Sequence, residues 1–257
     1  GNLTLGGTGK TPFSIYLAEE LLKKGKRPAI ITRGYGEDEK FILQKNLDIP
    51  ILIGGKKSLN AKIISKKGLA DTIILDDGFQ HRKLQRDIDI VLIDASNPFG
   101  NNYLFPRGIL REGLDSLKRA DVVIFTKSDS ACADTMQSLE TIVKKENRDI
   151  TIAEAVYRIS SVDNIALNRQ IDQGALKDKP VILVSAIANP GYFKAIVNSL
   201  GAIILKSYEF IDHYDYKAED IIPILKEAKE KGASLVTTEK DFVKLEKMNC
   251  RQSGADI

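Results

Sequence analysis

Apolar residues fall in short β-branched runs separated by longer stretches where they recur every three or four positions, the pattern of parallel strands alternating with covering helices. The runs Pro28 to Thr32, Thr72 to Leu75, Ile88 to Asp94 and Asp121 to Thr126 predict strands, with helices over Ser58 to Lys67 and Ala133 to Glu146. A helix is also expected after residue 11, where Pro12 suits a first turn and Phe13, Leu17 and Leu21 repeat at i+4. A strand-like stretch from Thr151 to Ile159 runs into polar Asp163 to Lys179, which reads as a connection between lobes. Alternation then restarts with strand Val181 to Ala186, helix Gly191 to Leu200, strand Ala202 to Leu205, helix Ala218 to Lys231 and strand Ser234 to Thr237. The expectation is an α/β chain with a lobe over residues 1–150, a linker over 151–179 and a smaller α/β lobe over 180–257.

The helix after residue 11 opens directly from Gly6-Gly7-Thr8-Gly9-Lys10-Thr11. Glycines let backbone N–H groups close on an anion, a lysine adds a point charge toward the β/γ-phosphates, and a hydroxyl at the next position is placed for Mg²⁺. The strict phosphate-loop spacing asks for glycine where this chain has Thr4, so the loop is a variant with bunched glycines. Strand, loop and helix context agree, and the first lobe reads as a P-loop NTPase-like parallel sheet with helices on both faces.

Other polar clusters sit at the ends of the apolar runs. Strand Thr72 to Leu75 ends in Asp76-Asp77, which places acids at the carboxyl edge of a parallel sheet where Mg²⁺ bound to a nucleotide would lie. A helix-capping or turn aspartate accounts for one carboxylate more easily than for two followed by Gly78-Phe79-Gln80-His81-Arg82. The chain has only two histidines, His81 in that block and His213 inside Asp212-His213-Tyr214-Asp215-Tyr216. Flanking carboxylates can fix a tautomer and help an imidazole relay a proton, although a lone histidine is more often a surface residue. Arg33-Gly34-Tyr35-Gly36 followed by Glu37-Asp38-Glu39 lies past another strand end, where arginine suits phosphate and the acids suit metal or base work; a solvated charged turn would read the same. Phe105 to Glu112 adds Arg107 and Arg111 in a loop fit for anion recognition.

One stretch favours a rival. Thr126-Lys127-Ser128-Asp129 resembles the guanine-reading element of P-loop GTPases, and Val184-Ser185-Ala186 echoes their later Ser-Ala element. Against a switch protein, Asp-Asp-Gly replaces the Asp-x-x-Gly that would contact a γ-phosphate, and a second lobe carries polar clusters a switch does not need. A nucleotide-dependent partitioning module is the alternative outside enzymes.

Composition narrows the picture modestly. Among 257 residues, 38 Lys and Arg against 35 Asp and Glu give a formal charge of +3, too small a bias to ask for nucleic acid as a partner. Basic clusters such as Lys23-Lys24-Gly25-Lys26-Arg27 solvate helix ends, and anionic lipid headgroups would also suit them. Cys132 and Cys250 have no metal-ligand spacing and suggest a reducing compartment. No apolar run approaches bilayer-spanning length.

Taken together, the segment from Gly1 to Pro12, Arg33-Gly34-Tyr35, Asp76 to Arg82 with Arg86-Asp87, Leu110-Arg111-Glu112, Asp212 to Tyr216 and Thr237-Thr238-Glu239-Lys240-Asp241 resemble, in order, the tetraacyldisaccharide 4'-kinases of lipid A biosynthesis. The resemblance implies transfer of the γ-phosphoryl group of ATP, with Mg²⁺, to the 4'-hydroxyl of an acylated glucosamine disaccharide 1-phosphate lipid. It also implies peripheral association with an anionic membrane surface at the cytosolic face of a bacterial inner membrane. Nucleotide would be held by Thr4, Leu5, Gly6, Gly7, Thr8, Gly9, Lys10 and Thr11, and the metal by Thr11, Asp76, Asp77 and Glu39. Asp38, His213 and Lys10 would be catalytic, with Asp38 the base or its orienter and His213 its partner; Asn2, Arg33, Tyr35, Gln80, His81 and Arg111 would meet the acceptor. Two departures stand out: Glu37 precedes Asp38 where the family has Gly, and the stretch from Gly36 to Asp38 is much shorter than the family's. The family segment that precedes the phosphate loop is not among these residues.

Overall fold

Ile30 and its neighbours in the first predicted strand explain why that stretch folds as it does. In the computed structural model, which describes residues 1–34, 37–165 and 169–247, Ile30 packs with Ala18, Leu43, Leu47 and Ile74, whereas Ala29 and Ile31 pack on the opposite side with Ile64. A strand covered on both faces must be apolar throughout, which is why it reads as an unbroken run. Each fully buried Ile contributes about 1.5–3 kcal/mol.

The chain divides into two compact units, Gly1–Tyr157 and Arg158–Ile257. The first contains α1 (Lys10–Lys23), β1 (Pro28–Thr32), α2 (Glu37–Asn46), β2 (Ile51–Ile53), α3 (Lys57–Lys67), β3 (Thr72–Leu75), β4 (Ile90–Asp94), β5 (Val122–Thr126), α4 (Ala133–Glu146) and β6 (Thr151–Ala155). Its strands pair in parallel as β2-β1-β3 and β4-β5-β6, and Asn2 bridges to Leu92 so that the first residues run alongside β4. The stretch assigned from sequence to the linker begins differently. Thr151–Ala155 is the edge strand of the first unit, in register with β5 from Val122↔Thr151 to Thr126↔Ala155. An edge strand is buried less than its neighbours, so its pattern resembles a connection.

The second unit contains β7 (Val162–Asn164), β8 (Arg169–Ile171), β9 (Pro180–Ser185), α5 (Pro190–Ser199), β10 (Ile203–Glu209), α6 (Ala218–Glu230), β11 (Ser234–Thr237) and α7 (Glu239–Lys247). β7 and β8 form an antiparallel pair, and β10-β9-β11 form a parallel sheet with β9 central. β9 repeats the logic of β1: Ile182 and Val184 face a core with Ile221, Ile224 and Leu225, while Val181 and Leu183 face another with Val197 and Leu176. No described helix is long and apolar enough to cross a membrane.

Candidate active site

The glycine loop is held from both sides before it reaches α1. Leu92 N–H donates to Gly1 O at 2.9 Å, Leu5 N–H to Ile109 O at 2.7 Å, and Arg111 N–H to Leu3 O at 2.6 Å. Gly9 caps α1 at φ 84°, a left-handed backbone that a side chain resists. A Cβ on Gly9 would also lie 1.6 Å from Tyr157 Oη, so the tyrosine would have to swing aside. The periodicity that places Phe13, Leu17 and Leu21 on one face of α1 is offset by a step, because the buried positions are the small Ser14 and Ala18. Their size lets the helix sit against the end of β3, where Ser14 Oγ donates to Asp76 Oδ1 at 3.3 Å.

Asp76 and Asp77 follow β3 as the sequence predicts. Asp76 is buried, and Asp77 takes the left-handed conformation at φ 48°. Two interactions fix that turn. The buried Lys57 ammonium, at the start of α3, donates to Asp76 O at 2.5 Å and to Asp77 O at 2.7 Å. The Arg111 guanidinium grips the Asp77 carboxylate in a two-pronged pair at 2.7 and 3.3 Å, and Lys10 Nζ stands 3.9 Å from the same carboxylate. Burial alone would raise the Asp77 pKa, but Arg111, Lys10 and Lys57 outweigh it and hold the carboxyl below its usual range. Burial lowers the Lys57 pKa, with Asp77 and Asp76 opposing.

The remaining residues of the Asp76 to Arg82 block are tied to the same region. Gln80 Nε2 donates to Asn2 O at 2.9 Å. His81 Nε2 lies 3.3 Å from Ser58 Oγ; burial first, then Lys57, Arg86 and Lys83, lowers its pKa. Arg86 braces the block by donating to His81 O and Leu84 O while pairing with Asp89. Asn2, expected to meet the acceptor, is fully buried: its amide donates to Thr4 O at 2.7 Å and accepts from Arg111 at 3.1 Å. Arg33 is exposed at the end of β1, and Glu39 stands on α2. Tyr35 and the side chain of Asp38 lie outside the described residues, as does Cys250.

The GTPase-like element has a different use here. Lys127, left-handed at φ 55°, forms a buried ion pair with Asp94 and reaches Gly7 O at 3.5 Å, while Thr126 Oγ1 donates to Thr8 O at 3.1 Å. The ends of β4 and β5 thus hold two carbonyls of the phosphate loop. Its supposed partner Val184-Ser185-Ala186 belongs to the second unit, where the buried Asp241 accepts from Ala186 N–H at 3.2 Å.

His213 sits in the second unit in a left-handed turn at φ 63°, its N–H donating to Ala186 O at 3.2 Å. Lys240 Nζ lies 3.2 Å from both His213 Nε2 and Asp212 Oδ1. An ammonium only donates, so this contact asks Nε2 to accept. Nearby in sequence Phe210 stacks on Tyr214 while Tyr216 meets both rings edge-on, and burial followed by Asp241 pushes the Tyr216 hydroxyl far up in pKa. Lys57, Lys127 and Lys240 carry much of this positioning, yet a lysine beside a helix or strand end reads in sequence as a solvated cation.

The donor set fits a nucleotide and its metal. The loop's glycines leave backbone N–H groups open to an anion, and Lys10 follows directly, its ammonium 3.9 Å from Asp77. Asp76 and Asp77 suit Mg²⁺, which takes one or two carboxylates and completes its shell with phosphate oxygens and water. Among the described residues no group of three or more His, Cys, Asp or Glu side chains forms a metal cage by itself.

A phosphate loop leading into a helix beside paired acids, on a parallel α/β sheet, defines a P-loop phosphotransferase. The chain matches the model of the LpxK family, described as Tetraacyldisaccharide-1-P 4'-kinase, over residues 1–41 and 37–255, and belongs to that family. The two matched pieces meet at the shortened segment around Asp38. The tetraacyldisaccharide 4'-kinase of Bdellovibrio bacteriovorus is 34% identical over 270 residues, covering 96% of this chain and 79% of the relative. That of Elusimicrobium minutum is 37% identical over 270 residues, covering 95% and 71%. The solved LpxK of Aquifex aeolicus, crystallised in complex with ATP, superposes with a TM-score of 0.64 at 27% identity, covering 95% of this chain and 78% of that one. The chain is a kinase of this family, and the GTPase switch and partitioning module find no support.

Proposed function

We propose that this chain phosphorylates the 4'-hydroxyl of a tetraacylated glucosamine disaccharide 1-phosphate at the expense of ATP, working peripherally at the cytosolic face of a bacterial inner membrane. The observation that carries the reading is the convergence of Lys10, Arg111 and the Asp76-Asp77 turn beside the glycine cradle, in a chain of this family.

Phosphoryl transfer asks for positioning and charge neutralisation more than for covalent chemistry by the protein. Backbone N–H groups from Gly6 to Thr11 bind phosphate oxygens, and Lys10 offsets charge that builds on the transferred group. Thr11, Asp76 and Asp77, with Glu39 from α2, would hold Mg²⁺, which would supply positive charge to offset that of the phosphates. Asp38 accepts the proton of the 4'-hydroxyl or orients the group that does, and His213 acts with it. Arg33, Tyr35, Gln80 and His81 would bind the acceptor, and Arg111 keeps Asp77 in its turn.

The direct test is transfer of radiolabelled γ-phosphate from ATP to the detergent-dispersed disaccharide 1-phosphate lipid. The parent labels the lipid and Lys10→Ala does not. General-base help is typically worth about 10²-fold or more, so His213→Ala is expected to lose at least that much turnover. Turnover within about threefold of the parent would remove His213 from the mechanism.

A further inference from the structure

Between β4 and the 3-10 turn at Leu114–Arg119, residues 99–110 form a loop whose tip turns apolar side chains to solvent: Tyr103, Leu104 and Phe105 are 44, 52 and 66% exposed. The backbone beneath them is tightly tied. Phe105 N–H donates to Leu110 O at 2.8 Å, Gly108 N–H to Leu104 O at 3.0 Å, and Asn101 Nδ2 to Arg107 O at 2.9 Å. The turn is so close that a Cβ on Gly108 would lie 2.2 Å from Tyr103 O. Phe99 and Leu110 anchor its two feet in the core. A fixed backbone holding Leu and Phe in water forgoes their burial, which points to a surface that covers them.

Charge and placement select the occupant. The exposed Arg107 guanidinium stacks 3.6 Å from the centroid of Tyr103, which puts a cation and an amphipathic ring at the flank of the apolar tip. That combination suits the boundary of an anionic bilayer, with acyl chains taking the tip and lipid phosphates the guanidinium. The loop is also laced to the phosphate loop through Leu5 N–H to Ile109 O and the Thr4–Leu110 bridge, and Leu5 is itself 46% exposed. We propose that the Leu104–Phe105 tip and Arg107 form the chain's bilayer-contacting element, seating the phosphate loop at the surface from which a lipid acceptor is drawn. The proposal rests on the acceptor being a membrane lipid, as put forward above.

The chain contains no tryptophan, so Phe105→Trp supplies a single reporter. Its emission is expected to shift to the blue on vesicles of phosphatidylglycerol and phosphatidylethanolamine, to be quenched by brominated acyl chains, and to respond less to phosphatidylcholine alone. Leu104→Ser combined with Phe105→Ser is expected to lower co-sedimentation with the anionic vesicles by at least about tenfold. Its binding of a fluorescent ATP analogue and its transfer to detergent-dispersed acceptor should stay within about twofold of the parent, since the serines replace exposed side chains only. An indole unchanged by vesicles, or a double-serine variant that sediments like the parent, overturns the proposal. Emission already blue before vesicles are added means that another copy of the chain covers the tip, which overturns it equally. Failure of the parent to phosphorylate the lipid in detergent would sink the kinase reading and leave the spectral result standing; phosphorylation without the shift sinks the docking element alone.

Discussion

Asp77 and His213 share a backbone conformation that non-glycine residues adopt rarely, at φ 48° and 63°. Such residues persist where their surroundings over-determine them. Asp77 is gripped by Arg111 at its carboxylate and by Lys57 at its carbonyl; His213 is fixed by Ala186 O at its N–H and by Lys240 at its ring. If Lys240 sets the tautomer of a working imidazole, Lys240→Met should lower kcat about tenfold or more with the KM for ATP unchanged, and Lys240→Arg should recover part of the loss. Steady-state kinetics of the three proteins decide it; equal losses in Met and Arg variants would reduce Lys240 to packing. Asp77 carries a pH signature. Its carboxyl titrates below the ordinary value of 3.8, so the folded state gains stability that is present above pH 3.8 and is lost as pH falls through the depressed pKa. Arg111→Met removes the main stabilising partner. Acid unfolding followed by circular dichroism should then begin at higher pH than in the parent, with the two proteins converging below the carboxylate range.

At the scale of elements, the ends of β4 and β5 do for the phosphate loop what Lys57 does for the acid turn. The Asp94–Lys127 pair is buried, and breaking one partner of such a pair leaves an uncompensated charge worth about 3–5 kcal/mol. Lys127→Met should therefore lower stability by about that amount in urea titrations and raise the KM for ATP, whereas the combined Asp94→Leu and Lys127→Met variant should recover stability more than ATP affinity. A single variant as stable as the parent would mean that the charge finds water. The same elements mark how far the sequence could be read. Strands buried on both faces, β1 and β9, stand out because no polar position interrupts them. α2 does not, since among its described side chains Leu43 is fully buried while charged and polar residues make up most of the rest of the helix. α7 hides for a related reason: its buried face begins with Asp241, a carboxylate in the core that holds Thr238 and the end of β9. β10 runs to Glu209 rather than Leu205 because β9 offers backbone partners beneath a polar continuation, past a bulge between Ile204 and Lys206. The phosphate loop, acid pair and histidine clusters were legible because their chemistry is local; the lysines that fix them act across the chain, with partners 19 to 120 residues away in the cases of Lys57 and Lys127.

At the scale of the whole molecule, each unit has its own parallel sheet and core, and the proposed chemistry is divided between them: the nucleotide residues belong to Gly1–Tyr157 and His213 to Arg158–Ile257. A ligand that binds only the folded first unit suppresses openings there by mass action, about 2.7 kcal/mol at one hundred times its dissociation constant. Amide hydrogen exchange should register this as slowing over residues 5–14 and 76–81 on addition of Mg²⁺ and a nonhydrolysable ATP analogue. The core amides of β9, which lie in the second unit, are the comparison against which that slowing is read. Residues 210–216 are the informative segment. If Asp38 and His213 act on one hydroxyl, nucleotide by itself leaves their exchange rate near that of the free protein, and nucleotide together with the acceptor lipid slows it. Slowing by nucleotide alone would assign His213 to the triphosphate, and a segment indifferent to both ligands would take the second unit out of the phosphoryl-transfer step.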